Sequence, residues 1–210
     1  DVATSYNNIG GVYDIKGEYD KALEYHQKSL AIMLKQLGPD HPSVATSYNN
    51  IGLVYDNKGE YDKALEYYQK DLAISLKQLG PDHPDVAGSY NNIGAVYAHK
   101  GENDKALEYI QKSLTISLKQ LGPDHPDVAI SYNNIGSVYN IKGEYDKALE
   151  YHQKALAIWL KQLGADHPDV ATSYNNIGNV YNAKAEYDKA LEYYQKSLAI
   201  RLKQLGPDHP

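Results

Sequence analysis

The sequence predicts an all-α solenoid of five helix-turn-helix repeats, ten helices in all, on three observations. The segment DVATSYNNIG recurs almost unchanged from Asp1, Ser43, Asp85, Asp127 and Asp169, a step of 42 residues each time. Composition is skewed toward that unit: 21 Tyr stand beside no Phe, no Cys, one Trp and one Met. A freely selected core samples all the large apolar residues, so the skew is the mark of one short unit copied. Gly and Pro fall at nearly the same places in each copy and divide it into two helices. The expected organisation is a single array over residues 1–210, with repeats 1–42, 43–84, 85–126, 127–168 and 169–210 and no second domain.

Each element follows from local chemistry. In repeat 1 the first helix should run from about Val2 to Asp14 and the second from about Tyr19 to Leu37. Lys16-Gly17-Glu18 is the tight turn between them, with Gly17 supplying a positive φ. Gly38-Pro39 stops the second helix. Asp40 is then expected to cap the next helix, with Pro42 in its first turn. At about 100° per residue, Val2, Tyr6, Ile9 and Tyr13 form one apolar stripe. Tyr19, Ala22, Leu23, His26, Leu30, Leu34 and Leu37 form another at spacings of three and four. Neither helix buries its stripe alone, so stacked hairpins must share a core. Glu24 and Lys28 make an i,i+4 pair on the outer face. Gly10 sits inside the first helix at a cost of roughly 1 kcal/mol against Ala. Close approach of the second helix near Ala22 is the expected reason; recent duplication would equally leave it repeated at Gly52, Gly94, Gly136 and Gly178. Two departures are expected weak points: Ala185 replaces the turn Gly, and Asn103 replaces the turn Tyr.

Charge and composition exclude several classes. The formal net charge is −6, with 21 Lys+Arg interspersed among 27 Asp+Glu. No basic stripe exists, which argues against nucleic acid or an anionic membrane as partner. No run approaches the roughly 20 apolar residues of a membrane span. The lack of Cys excludes disulfides and thiolate metal sites and fits a reducing, cytoplasmic compartment. Asp1 in place of Met, and an end at a repeat boundary, suggest an excised fragment. His41, His83, His125 and His167 each precede Pro at a helix start. Stacked helices lie about 8–10 Å apart and zinc ligands about 2 Å from the ion, so one His per repeat cannot converge on a metal. Capping or loop packing is the better role. No hydrolase elbow, phosphate loop or HExxH occurs, and every candidate residue recurs once per repeat where an enzyme needs a unique constellation. Neither catalysis nor a cofactor is expected.

The pattern Tyr6-x-x-Ile9-Gly10-x-x-Tyr13, then Gly17-x-Tyr19-x-x-Ala22, resembles the tetratricopeptide (TPR) signature along the whole chain. The usual period is 34, so each unit carries about two extra helical turns. The longer period, with Leu37-Gly38-Pro39-Asp40-His41-Pro42 leading into Val44-Ala45 and Asn49-Asn50, looks like the repeat region of kinesin light chains. The resemblance implies a right-handed superhelix whose first helices line a concave groove for an extended peptide.

Variation between copies is the informative signal for such a groove, because duplication already explains sameness. On the first helix it concentrates at the registers of Thr4, Gly11 and Ile15, within about 40° of one another, and at that of Asp14, roughly 80° to one side. The amides Asn7 and Asn8 fall in the same arc. The resemblance then assigns to the groove the ladder Asn8, Asn50, Asn92, Asn134 and Asn176 and its neighbours Asn7, Asn49, Asn91, Asn133 and Asn175. The expected division of labour is that amides, each donor and acceptor, hold a ligand main chain. Side chains would be selected by Thr4, Gly11, Ile15, Leu53, Asn57, Ala95, His99, Ile130, Ser137, Ile141 and Asn179. The alternative is that these are solvated, unconstrained surface positions. No Lys or Arg stands at them, which argues against the carboxylate clamp of chaperone-binding TPR modules. The face is neutral, mildly acidic toward Asp14 and Asp56. Among second-helix positions, the His26/Tyr68/Ile110/His152/Tyr194 register is expected to pack between hairpins, and Trp159 against a neighbouring helix rather than as an exposed anchor.

A protein or peptide partner is therefore expected. Two other functions compete with a binding scaffold. One is an architectural spacer or self-associating rod, since Tyr187, Leu191, Tyr194 and Leu198 should lack a covering neighbour and permit end-to-end association. The other is the sensor region of a larger signalling protein resembling NACHT- or NB-ARC-type receptors.

Overall fold

The computed structural model describes residues 1–206. Ten helices and no strand occur among the described residues: α1 (Val2–Ile15), α2 (Tyr19–Leu37), α3 (Pro42–Asn57), α4 (Tyr61–Leu79), α5 (Pro84–His99), α6 (Asn103–Leu121), α7 (Pro126–Ile141), α8 (Tyr145–Leu163), α9 (Pro168–Ala183) and α10 (Tyr187–Leu205). They form two compact units, Asp1–Tyr109 and Ile110–Pro210, with the boundary inside α6.

Helix starts depart from expectation in one respect. The cap of α3 is His41, not Asp40: its Nδ1 accepts the backbone N–H of Ser43 at 3.1 Å, and Pro42 takes the first helical position. His83, His125 and His167 do the same for α5, α7 and α9. Asp40 reaches the side chain of Lys77 instead, at 2.5 Å, and so ties the loop to α4. Capping is thus the role of this once-per-repeat His. Among the described caps, that of α1 alone is an aspartate, Asp1, whose Oδ1 accepts from the Thr4 N–H at 2.9 Å.

Turns follow the sequence. Gly17 has φ 71°, in the left-handed region, and its N–H returns to the Asp14 carbonyl at 2.9 Å. Ala185 holds the same turn at φ 59°, the sole positive φ outside Gly among the described residues. Its Cβ faces a penalty of about 1 kcal/mol there. Asn103, the other departure, buries its Oδ1 without a hydrogen-bond partner. A buried amide oxygen left so costs about 1–3 kcal/mol.

In the first unit α1 pairs with α2 and α3 with α4, while α2 packs on α3 and α4 on α5. Ala22 and Leu23 of α2 meet Ile51 and Val54 of α3. One repeat on, Ala64, Leu65 and Tyr68 meet Ile93 and Val96. The second unit repeats the scheme with α7, α8, α9 and α10. Leu37, placed on the buried stripe from sequence, is exposed. Trp159 is buried. On the outer face Lys28 pairs with Glu24 at 2.6 Å and lies over the Tyr25 ring at 4.9 Å. Such exposed pairs contribute a few tenths of a kcal/mol.

Gly10 is explained by a different neighbour from the one expected. A Cβ there would stand 2.9 Å from the ring of His26, one helical turn beyond Ala22. Tyr68 lies over Gly52, His152 over Gly136 and Tyr194 over Gly178 in the same way. The residue at this register therefore packs against its own first helix, and Tyr68 also reaches Ile93 and Val96 of the next hairpin. Two faces stay open. Val2, Ile9 and Val12 are 61%, 39% and 58% exposed, whereas Val44, Ile51 and Val54 at the same register are 0% exposed. On α10, Tyr187, Leu191 and Leu198 are more than half exposed, while Tyr194 is half-buried.

Candidate functional site

The face singled out from sequence lies on the first helices, and its geometry is set by contacts between neighbouring repeats. In the first unit the Nδ2 of Asn50 donates to Asn7 Oδ1 at 2.9 Å, and that of Asn92 to Asn49 Oδ1 at 2.8 Å. In the second unit Asn176 Nδ2 donates to Asn133 Oδ1 at 2.9 Å. The separation is 43 residues each time. The second amide of one repeat is thus bound to the first amide of the repeat before it. The ladder therefore joins first helices side by side in addition to presenting polar atoms.

Second helices add to it. His26 Nδ1 lies 3.0 Å from Asn7 Oδ1, and His152 Nδ1 lies 3.1 Å from Asn133 Oδ1. An amide oxygen only accepts, so Nδ1 carries the proton in both. Burial holds the His152 imidazole at about 4 and so keeps it neutral; burial also lowers His26, against the pull of Asp14. Asn7 Oδ1 thus accepts from two donors, one on α2 and one on α3. What each pair retains for a ligand is the Asn7-register NH2 group and the oxygen and second N–H of the Asn50 register. Asn8 is exposed.

The flanking positions divide into two kinds. Ile15, Leu53, Ile130 and Ile141 are exposed apolar side chains, with Ile15 88% exposed. Thr4 is exposed, Ala95 and Gly11 are half-buried, and Ser137 Oγ donates back to the Asn133 carbonyl at 3.1 Å. Others are spoken for. Asn57 Nδ2 donates to both carboxylate oxygens of Asp14 at 3.1 Å. His99 Nδ1 is 2.9 Å from Asp56 Oδ1. Asn179 Oδ1 accepts the Tyr194 hydroxyl at 2.9 Å. At the register of Asp14 and Asp56, Asn140 buries its Oδ1 without a partner, and Ala183, one repeat on at the register of Asn57 and His99, has no donor. Between repeats, then, registers 14 and 15 act as acceptor and donor wherever their residue types allow it.

Sequence reasoning missed two features here. The first is the amide pairing; an offset of one repeat plus one residue was its only signal. The second is Asp71, the carboxylate in a register otherwise held by Ser29, Ser113, Ala155 and Ser197. It is buried between α4 and α5, accepting from Ser89 Oγ at 2.6 Å and Ser75 Oγ at 3.4 Å. Burial, partly offset by those hydroxyls, pushes its carboxyl up to about 6.

Comparison with known proteins agrees with the helical-repeat fold. A family model described as "Tetratricopeptide repeat" matches residues 1–77, 57–102, 85–158 and 127–203. No curated protein matches the chain. Among solved structures, the nearly identical TPR-like repeats of a putative kinesin light chain from Podosopora anserina superpose with a TM-score of 0.74 at 26% identity, over 96% of each chain. BtubC (BKLC) from P. vanneervenii gives a TM-score of 0.77 at 26% identity, over 96% of this chain and 80% of the other. The Rap conjugation gene regulator of the plasmid pLS20, solved in complex with the Phr* peptide, shares the fold with a TM-score of 0.80 at 19% identity, over 95% of this chain and 53% of its own.

Proposed function

The chain belongs to the tetratricopeptide repeat family, in its kinesin-light-chain-like form, and from that premise we propose that it is a non-enzymatic interaction scaffold. It holds an extended peptide or partner segment along the first helices. The observation that carries this is the face itself. Repeat-specific side chains such as Leu53 and Ile130 project outward from helices whose positions are locked by the amide pairs. Rigid placement lowers the ordering cost of binding. A Rap regulator solved with a peptide supports the reading by analogy of fold. The partner is a protein or peptide rather than nucleic acid or membrane. No helix among the described residues is long and apolar enough to cross a membrane.

The amides are poor targets for a test, since Asn50→Ala would also cut a bond between repeats. Leu53→Lys with Ala95→Lys alters the face and leaves every amide pair in place. Dodecapeptides selected from a displayed library against the whole chain should bind, and should lose about tenfold or more in affinity for that double variant, with the circular dichroism spectrum unchanged. Selected peptides that bind both proteins equally, or a selection that yields none, would remove the proposal.

The open faces of α1 and α10 support a second reading, end-to-end association with a second copy. Val2, Ile9 and Val12 stand at the register of Val44, Ile51 and Val54. Tyr187 and Leu191 stand at that of Tyr19 and Leu23, which pack beside Ile51 and Val54. The two faces are therefore the halves of an interface the chain already makes internally. Sedimentation equilibrium should show mass rising with concentration, and Val12→Glu should suppress it; a strict monomer at millimolar protein excludes this reading.

A further inference from the structure

The first-helix face of the unit Asp1–Tyr109 is charged in one sense only. Between their caps, α1, α3 and α5 contain no Lys or Arg, while Asp14 and Asp56 stand at one register in successive repeats. Several carboxylates elsewhere in the unit meet ammonium groups. Asp20 pairs with Lys58 at 2.8 Å, Glu24 with Lys28 at 2.6 Å and Glu66 with Lys70 at 2.6 Å. Asp14 instead receives only the amide of Asn57, and Asp56, whose side chain is 12% exposed, only the imidazole of His99.

The neighbours feel that charge. The Tyr68 phenol, buried beneath this face, is pushed up by desolvation first and then by Asp56, Asp71 and Asp14. The field of the two carboxylates thus reaches into the hairpin beneath them. On the same helices lie the exposed apolar side chains Ile15 and Leu53 and the half-buried Ala95, which would cover the stem of a long side chain while its head stays at the carboxylates. The same register turns neutral later in the chain, at Asn140 and Asn182.

We propose that this face selects a peptide carrying Lys or Arg side chains, and that Asp14 and Asp56 set the preference by pairing with those cations across successive repeats. The inference rests on the binding reading above and names the chemistry of its ligand. Complementary charge of this kind governs specificity and encounter more than total affinity, and it competes with the single donor each carboxylate now has. Basic segments are therefore preferred to neutral ones, and acidic segments are rejected.

The test uses the whole chain and three fluorescein-labelled dodecapeptide pools, with every third position fixed as Lys/Arg, as Ser/Gln or as Asp/Glu. Anisotropy titrations at physiological salt should rank them basic, neutral, acidic, with about tenfold between the first two. Asp14→Asn with Asp56→Asn keeps the acceptor oxygens for Asn57 and His99 and copies residues the chain already uses at Asn140 and Asn182. It should abolish the basic preference, bringing the ratio of basic-pool to neutral-pool affinity to about one. Glu24→Gln with Glu66→Gln removes the same net charge from the outer face and should leave the ranking intact. Equal binding of basic and neutral pools, or loss of preference in the outer-face control as well, overturns the inference while the binding reading stands. Failure of all three pools to bind overturns both.

Discussion

Gly52→Ala is expected to destabilise the protein by about 2 kcal/mol or more, whereas Gly88→Ala, the same change in the next first helix, is expected to stabilise it by about 0.5–1 kcal/mol. Both glycines are helical, so both gain the same backbone term from a methyl group. They differ in what the methyl meets. At Gly88 nothing lies within 4 Å. At Gly52 the new Cβ would stand 2.9 Å from two ring carbons of Tyr68. That ring is 2% exposed and lodged with Ala64, Leu65, Ile93 and Val96, so it has no free end to swing away. Either α3 lifts from α4 or the ring is pushed toward α5, and each loosens a buried contact. Thermal or urea unfolding of the two variants beside the parent decides the matter. A Gly52→Ala protein as stable as the parent would mean that the ring does not hold the helices at this spacing.

The same pair of glycines shows how far the sequence could be read. The period, the two helices per unit and the turn at Gly17 were legible because Gly and Pro constrain the backbone wherever they fall. All ten helices of the described residues start and stop within a few residues of where that punctuation puts them, and Tyr19–Leu37 matches outright. The reason for Gly10 was only half legible. Periodicity shows that a second helix approaches, but not which side chain is deepest, and the facing residue proved to be His26 rather than Ala22. The cap was misread for a related reason. Asp is the commoner acceptor, yet the imidazole of His41 sits one residue closer to the helix and leaves Asp40 free for Lys77. The amide ladder was hardest. Near-identical copies make every invariant residue look merely inherited, and Asn50 bonding to Asn7 becomes visible only once neighbouring hairpins are placed side by side. The face was found from sequence; that its amides also hold repeats together was not.

Asp71→Ser is expected to stabilise the protein at pH 8 and to have much less effect near pH 4. The register tolerates Ser, which stands there as Ser29, Ser113 and Ser197. Asp71 is a carboxylate taken out of water between α4 and α5, with two hydroxyls to accept from and the Asp85 carboxylate nearby. Its carboxyl is raised from 3.8 to about 6 in the folded chain. A raised acid binds its proton more tightly when folded, so stability falls as pH rises from the unfolded value through the folded one. Below about 4 both states are protonated and the residue costs little. Above about 6 both are ionised and the full penalty applies, about 3 kcal/mol at most. Replacement by Ser removes that penalty and forfeits hydrogen bonds of about 1 kcal/mol, leaving a net gain of about 2 kcal/mol at pH 8. The difference in stability between variant and parent, measured by urea unfolding at half-unit steps from pH 4 to 8, should climb mainly between pH 4 and 6 and then level off. A difference that stays flat across that range would show that Asp71 is solvated in the native protein. The joint between the second and third hairpins would then carry no buried charge.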